Sequence, residues 1–178
     1  VGVMQDANLH MALDFQEKGE LIFLLGEVTN DIAASEYVSG IRGVKRTPAP
    51  HFDLEAEVKL QACVREAIRR SCVQSCHDVA DGGLWVTLLE MAMPRGLGFD
   101  VVTDDEIRLD AFLFGEGAGR VVVSCTEGQQ DRLLDVIEEF NVPVMLLGHV
   151  TKGKLQVELS SINKFESVNF KSKASFQL

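Results

Sequence analysis

The chain is short of bases: 17 lysines and arginines stand against 27 aspartates and glutamates, a formal net charge of −10. Nucleic acid and anionic membrane surfaces need a basic footprint, so neither is an expected partner. Long apolar runs are missing as well. None approaches the roughly 20 residues of a membrane span, and no secretory signal opens the chain, so the expected location is the cytoplasm. The four cysteines, Cys63, Cys72, Cys76 and Cys125, include no C-x-x-C pair. Cys72, Cys76 and His77 do not match a zinc spacing, and buried, reduced thiols are the expectation. Proline is scarce, with four residues, and each interrupts a pattern: Pro48 and Pro50 in a connecting stretch, Pro94 behind a helix, Pro143 inside a strand. No internal repeat of the solenoid kind is present.

What remains is a chain of 178 residues with 46% hydrophobic side chains, enough for one domain with a sizeable core, or for one domain and a fragment of another. Val1-Gly2-Val3-Met4 reads like the interior of a strand, which suggests a piece of a longer protein. Leu9, Met11, Leu13 and Phe15 alternate with polar or small residues and predict a second strand. Leu21–Leu25 is a continuous apolar run suited to a strand buried on both faces, forming a hairpin with the strand before it. Ser35-Glu36-Tyr37-Val38 starts a short helix. Asp53 caps the best-defined helix, in which Ala56, Leu60, Cys63, Val64 and Ala67 share one face. Its charged residues read as a solvated face. Further on, 97–102 reads as a strand, Leu109–Phe114 as a short helix, Val121–Cys125 as a buried strand and 127–140 as a helix. Strands over 142–150 and 155–159 complete a hairpin, followed by a loosely held tail.

The stretch with most chemical content is Ser75-Cys76-His77-Asp78-Val79-Ala80-Asp81-Gly82-Gly83-Leu84. Leu84, Leu88, Met91 and Ala92 recur on one face of a helix, with Asp81 as its expected N-cap. Glycines let backbone amides come close to a ligand, and a helix N-terminus favours an anion. Asp78 and Asp81 are hard oxygen donors suited to magnesium. Together these residue types suit a metal–phosphate contact, although strand, cap, Gly-Gly turn and helix is also a common structural punctuation. The glycine-rich Gly115-Glu116-Gly117-Ala118-Gly119-Arg120 is not a P-loop, because no Gly-Lys-Ser/Thr follows and a strand does.

His77-Asp78-Val79-Ala80-Asp81-Gly82-Gly83-Leu84, with Leu89-Glu90-Met91-Ala92 behind it, resembles the C-terminal half of phosphoribosylformylglycinamidine synthases. Gly19–Ile22 through Leu25-Gly26, Ser35-Glu36-Tyr37, Leu113–Glu116, Arg120–Ser124 and Leu147–Val150 resemble other blocks of that family, in the same order. The resemblance implies an α+β fold, a mixed sheet with helices packed on it, like the C-terminal domain of aminoimidazole ribonucleotide synthetase. It divides the chain into 1–30, the last strands of a preceding N-terminal-type domain, 31–160, the synthetase-like domain, and 161–178, the tail. It implies an ATP-dependent C–N ligase that converts formylglycinamide ribonucleotide to formylglycinamidine ribonucleotide in purine synthesis. ATP phosphorylates the amide oxygen and ammonia from glutamine displaces phosphate.

By the same resemblance, Asp78 is the expected magnesium contact of an auxiliary nucleotide site for ATP or ADP, to which Asp81, Gly82 and Gly83 belong, and Glu116 and Arg120 are the remnant of a substrate loop. The implied partners are the remainder of the synthase (its N-terminal-type domain and its other duplicated half) and a glutaminase that supplies ammonia; a second copy, in a homodimer, is the partner that goes with a purely structural role. No catalytic residue is carried over, since His10, His51, His77 and His149 do not match the family's catalytic histidine. Two departures stand out: Gly117-Ala118-Gly119 replaces the family's Ser-Gln-Ser, removing hydroxyl and amide donors, and Ala33-Ala34 replaces Gly-Gly. The isolated piece is therefore expected to be inactive. Two other readings stay open: another ATP-dependent enzyme of the superfamily to which the resemblance points, of the aminoimidazole ribonucleotide synthetase or selenophosphate synthetase type, or a non-catalytic structural half with a vestigial nucleotide site.

Overall fold

The computed structural model describes residues 6–104 and 106–158, together with the backbone of 167–169. The strand expected at Val1–Met4 lies outside the described residues, as does the tail apart from 167–169. Seven strands form one mixed sheet: β1 (Leu21–Leu25), β2 (Ser75–Asp78), β3 (Gly98–Val102), β4 (Val121–Cys125), β5 (Val144–Thr151), β6 (Leu155–Glu158) and β7 (Ser167–Asn169), in the order β2-β4-β1-β5-β3-β6-β7. Among the described residues four α-helices accompany it: α1 (Leu54–Arg69), α2 (Gly83–Ala92), α3 (Leu109–Phe114) and α4 (Gln130–Phe140).

The apolar run at 21–25 becomes β1 because both of its faces are covered. Ile22 and Leu24 pack with Leu84, Leu88 and Met91 of α2 and Phe112 of α3. Phe23 and Leu25 pack with Leu60, Cys63 and Ala67 of α1 and Leu133, Val136 and Ile137 of α4. Each of the larger ones, the Leu, Ile, Val, Met and Phe side chains, contributes about 1.5–3 kcal/mol relative to exposure. The sequence reading places these residues in a preceding domain, but β1 is hydrogen-bonded to β4 on one side and β5 on the other, in the middle of the sheet. Its ladder partners come from the second half of the chain, a pairing that local pattern cannot show.

Two strand expectations are corrected. Over 9–15 no strand forms, and Ala7–Leu9 is a turn of 3₁₀ helix. The alternation there reflects packing: Phe15 is fully buried while Leu9 and Leu13 are exposed. Phe15 N donates to Met91 O at the end of α2, and Ala12 O accepts from Cys76 N. No hairpin joins β5 to β6 either. β3 lies between them, antiparallel to β5 and parallel to β6. The turn after β5 crosses the start of β3, where Phe99 N donates to Lys154 O. A Cβ on Gly98 would stand 2.1 Å from that same oxygen, so only glycine admits the crossing.

The helices follow the sequence more closely. Asp53 Oδ1 caps α1 by accepting from Glu55 N and Ala56 N at 2.9 and 3.1 Å. Asn141 ends α4 in the left-handed conformation. The helix expected from Ser35 is a single π-helical turn, Tyr37–Ile41. Cys63, Cys72 and Cys125 are buried free thiols and Cys76 is half-buried. Among the described residues no helix is long and apolar enough to cross a membrane.

Candidate functional site

Three of the blocks that carry the resemblance meet at one carboxylate. Glu116 Oε1 accepts from Glu36 N and from Gly82 N, each at 2.8 Å. Tyr37 stacks on Phe114 with ring centroids 5.0 Å apart. Ser35 is fully buried, its hydroxyl donating to Ile32 O at 2.8 Å. The N-terminus of α2 closes onto the end of α3 so tightly that a Cβ on Gly83 would stand 2.7 Å from both Leu113 O and Gly115 O. Gly83 is also in the left-handed region, at φ +69°, so its glycine is required twice over.

The expected N-cap of α2 is corrected here. The capping position is Gly82, left-handed at φ +85° with no side-chain cap, and Asp81 lies in the turn before it, exposed. The carboxylate that serves this helix end comes from Glu116 instead, 34 residues away in sequence.

Asp78 ends β2, the edge strand of the sheet, with its side chain 78% exposed. Its Oδ1 is 3.3 Å from His77 Nδ1, while His77 Nε2 is 3.1 Å from Glu90 Oε2 on α2. Among the described residues, no three histidine, cysteine or acidic side chains gather into a metal centre. One open carboxylate still fits magnesium, which takes one or two carboxylates and completes its shell with water and phosphate oxygens. The amides of the glycine turn fit a phosphate less well. Gly82 N already donates to Glu116, and Gly83 N donates to Ala80 O at 3.0 Å. The structure therefore leaves the carboxylates of Asp78 and Asp81 outward and gives the neighbouring glycine amides partners within the chain.

Arg120, nearly fully buried, turns back on its own loop. Its Nη2 donates to Gly115 O at 2.5 Å and its Nε to Gly117 O at 3.3 Å. Burial holds its guanidinium below the ordinary arginine range, an effect opposed by the charge of Glu116. The expected substrate-loop pair thus separates into two tasks, with Glu116 joining three segments and Arg120 bracing the loop. Beside this loop lies a cavity of about 310 Å³, lined among others by Gly26, Asp53, Glu57, Lys59, Gly119 and Arg120. Glu57 was hidden in the sequence, where α1's charges read as a solvated face. Its Oε1 accepts from Gln61 at 2.7 Å, while its Oε2 is buried without a hydrogen-bond partner.

Residues 17–160 match the family described as AIR synthase related protein, C-terminal domain. The chain belongs to this family. Among its relatives, the phosphoribosylformylglycinamidine synthase subunit PurL of Moorella thermoacetica is 33% identical over 165 residues, which are 93% of this chain and 22% of the relative. The PurL of Thermomicrobium roseum is 38% identical over 152 residues, 83% of this chain and 21% of the relative. The chain spans about a fifth of the length of these curated relatives. Among solved structures, Thermotoga maritima PurL complexed with FGAR superposes with a TM-score of 0.77 at 16% identity, covering 92% of this chain and 29% of that one. The hydrogenase maturation protein HypE in complex with ATP gives 0.60 at 16%, covering 91% and 54%. At such identities the likeness speaks for the fold, the family's mixed sheet with helices packed on it.

Proposed function

We propose that this member of the family serves as the C-terminal synthetase-like portion of a phosphoribosylformylglycinamidine synthase. The reaction assigned to the parent protein is the ATP- and glutamine-dependent conversion of formylglycinamide ribonucleotide to formylglycinamidine ribonucleotide. The observation that carries this reading is identity to PurL subunits at 33% across 93% of the chain. Relatives about five times longer supply the partners in this proposal: the N-terminal-type domain, the other duplicated half and a source of ammonia such as a glutaminase. A PurLQS assembly is known in structure for Thermotoga maritima, with 15% identity to this chain. The cytoplasm is the compartment that goes with this role.

Within that reading, Asp78 is the magnesium contact, and Asp81 with the Gly82–Gly83 turn faces the nucleotide. Bound magnesium would neutralise charge on the phosphates of the nucleotide held there. The chain's own contribution is positional. Asp78 offers an outward carboxylate from the end of a strand, and Glu116 holds the turn beside it through Gly82 N and Glu36 N. Arg120 holds the backbone of the 115–117 loop rather than offering its guanidinium outward. Titration calorimetry with ADP and magnesium tests this directly. Saturable heat that disappears in Asp78→Ala supports the site, and heat unchanged in Asp78→Ala sinks it. The absence of heat in both favours the second reading, a structural half with a vestigial nucleotide site, which the engaged glycine amides also favour.

A further inference from the structure

The backbone of Asp78 is held from two sides. It pairs with Val121 in the β2–β4 ladder, and the next amide, Val79 N, donates to Arg120 O at 2.9 Å. From the other side the hydroxyl of Thr87, buried in α2, lies 3.4 Å from Asp78 O. The carboxylate is mostly in solvent, and a side chain so placed samples several rotamers unless a neighbour limits them. His77 is such a neighbour. Its side chain is 16% exposed, with Nδ1 3.3 Å from Asp78 Oδ1 and Nε2 3.1 Å from Glu90 Oε2. Glu90 stands in the last turn of α2, a helix seated on the sheet by the fully buried Leu84, Leu88 and Met91. The ring is thus tethered at its far nitrogen to a packed helix. Both nitrogens face carboxylate oxygens, an arrangement satisfied when each of them donates. One oxygen of Asp78 is then engaged and the other is left to a cation, the single-oxygen contact that suits magnesium.

We propose that Glu90 is a positioning residue for the magnesium contact at Asp78, acting through the imidazole of His77. The proposal rests on the reading of Asp78 as that contact. Glu90 acts in two ways that agree in sign. It fixes the plane of the ring, and so the rotamer of Asp78, and its charge balances that of a ring donating from both nitrogens beside the cation. Removing a group that holds a metal-binding side chain from behind commonly weakens metal affinity by about 10–100-fold.

The test is a manganese(II) titration of the 178-residue chain, followed by paramagnetic broadening of the Val79 amide signal. The expected result is saturable broadening in the wild type, its loss in Asp78→Ala, and affinity weaker by about tenfold or more in Glu90→Gln. His77→Ala is weakened too, and adding Glu90→Gln to it changes affinity by less than about twofold, because the link between the two carboxylates is gone. Nitrogen NMR of the wild-type imidazole is expected to show hydrogen on His77 Nδ1. Broadening that is absent in the wild type, or that persists in Asp78→Ala, overturns the magnesium reading of Asp78 and this inference with it. Broadening that needs Asp78 but is undiminished in Glu90→Gln overturns the inference alone. So does a Glu90→Gln loss of equal size with and without His77, which marks charge acting at a distance. A hydrogen-free Nδ1 overturns it in the wild-type chain, whatever the variants do.

Discussion

Asp78 and Glu116 are both acids beside the Gly82–Gly83 turn, and the fold uses them in opposite ways. Asp78 stands at the end of an edge strand, mostly in solvent, with His77 Nδ1 3.3 Å from its Oδ1. Glu116 is half-buried and accepts two backbone amides from segments 80 and 34 residues away. A carboxylate whose lone pairs face water is available to a cation at little cost. One that accepts from the backbone of two distant segments is part of the framework, and displacing it breaks both bonds at once. Identical chemistry thus gives one candidate ligand and one structural clamp.

Four substitutions or conditions sharpen that contrast, the largest effect first. Gly83→Ala puts a Cβ 2.7 Å from two carbonyl oxygens at a positive φ, and is expected to lower stability by about 3 kcal/mol or more in denaturant unfolding. A loss under 1 kcal/mol would show that the clamp region yields easily. Glu116→Ala removes the acceptor of two 2.8 Å bonds and should cost about 2–3 kcal/mol, with Glu116→Gln recovering part of it because an amide oxygen still accepts. Full recovery by Gln would show that charge plays no part in the clamp.

Glu66 offers an acid held by cations instead. The hydrogen bond from Arg69, opposed by desolvation and reinforced by one from Arg70, holds its carboxyl down to about 2 from the ordinary 4.5. Its folded-state value is depressed, so its stabilisation is present above the ordinary value and lost as pH falls from 4.5 toward 2. Glu66→Gln should flatten the acid limb of the stability profile slightly, since the pairs lie at the surface; an unchanged limb refutes this. Asp78→Ala is expected to change stability by no more than about 0.5 kcal/mol. A loss well beyond that would move Asp78 to the same class as Glu116.

Local pattern identified the α1 cap at Asp53, the buried run of β1, and the helices over 109–114 and 127–140, because these depend on near neighbours in sequence. It also marked the blocks at 35–37, 78–84 and 113–116 as belonging together by family likeness. It misassigned the helix cap to Asp81, since nothing near Asp81 announces that Glu116 reaches the Gly82 amide. Glu57 was missed for a related reason. A glutamate on the polar side of a helix has the same local surroundings whether water or a glycine loop lies against it.

The sequence by itself determined α1, α3, α4 and the buried run of β1, the acid-rich and base-poor charge, and the presence of aspartates next to a glycine turn. These follow from propensity, period and composition, which act over a few residues. Only the tertiary structure decided that β1 lies in the middle of the sheet, that β3 enters between β5 and β6, and that one carboxylate is clamped while another is left without a donor. Those outcomes depend on pairings between residues far apart along the chain, where hydrogen bonds and packing are settled by what the fold brings within 3 Å.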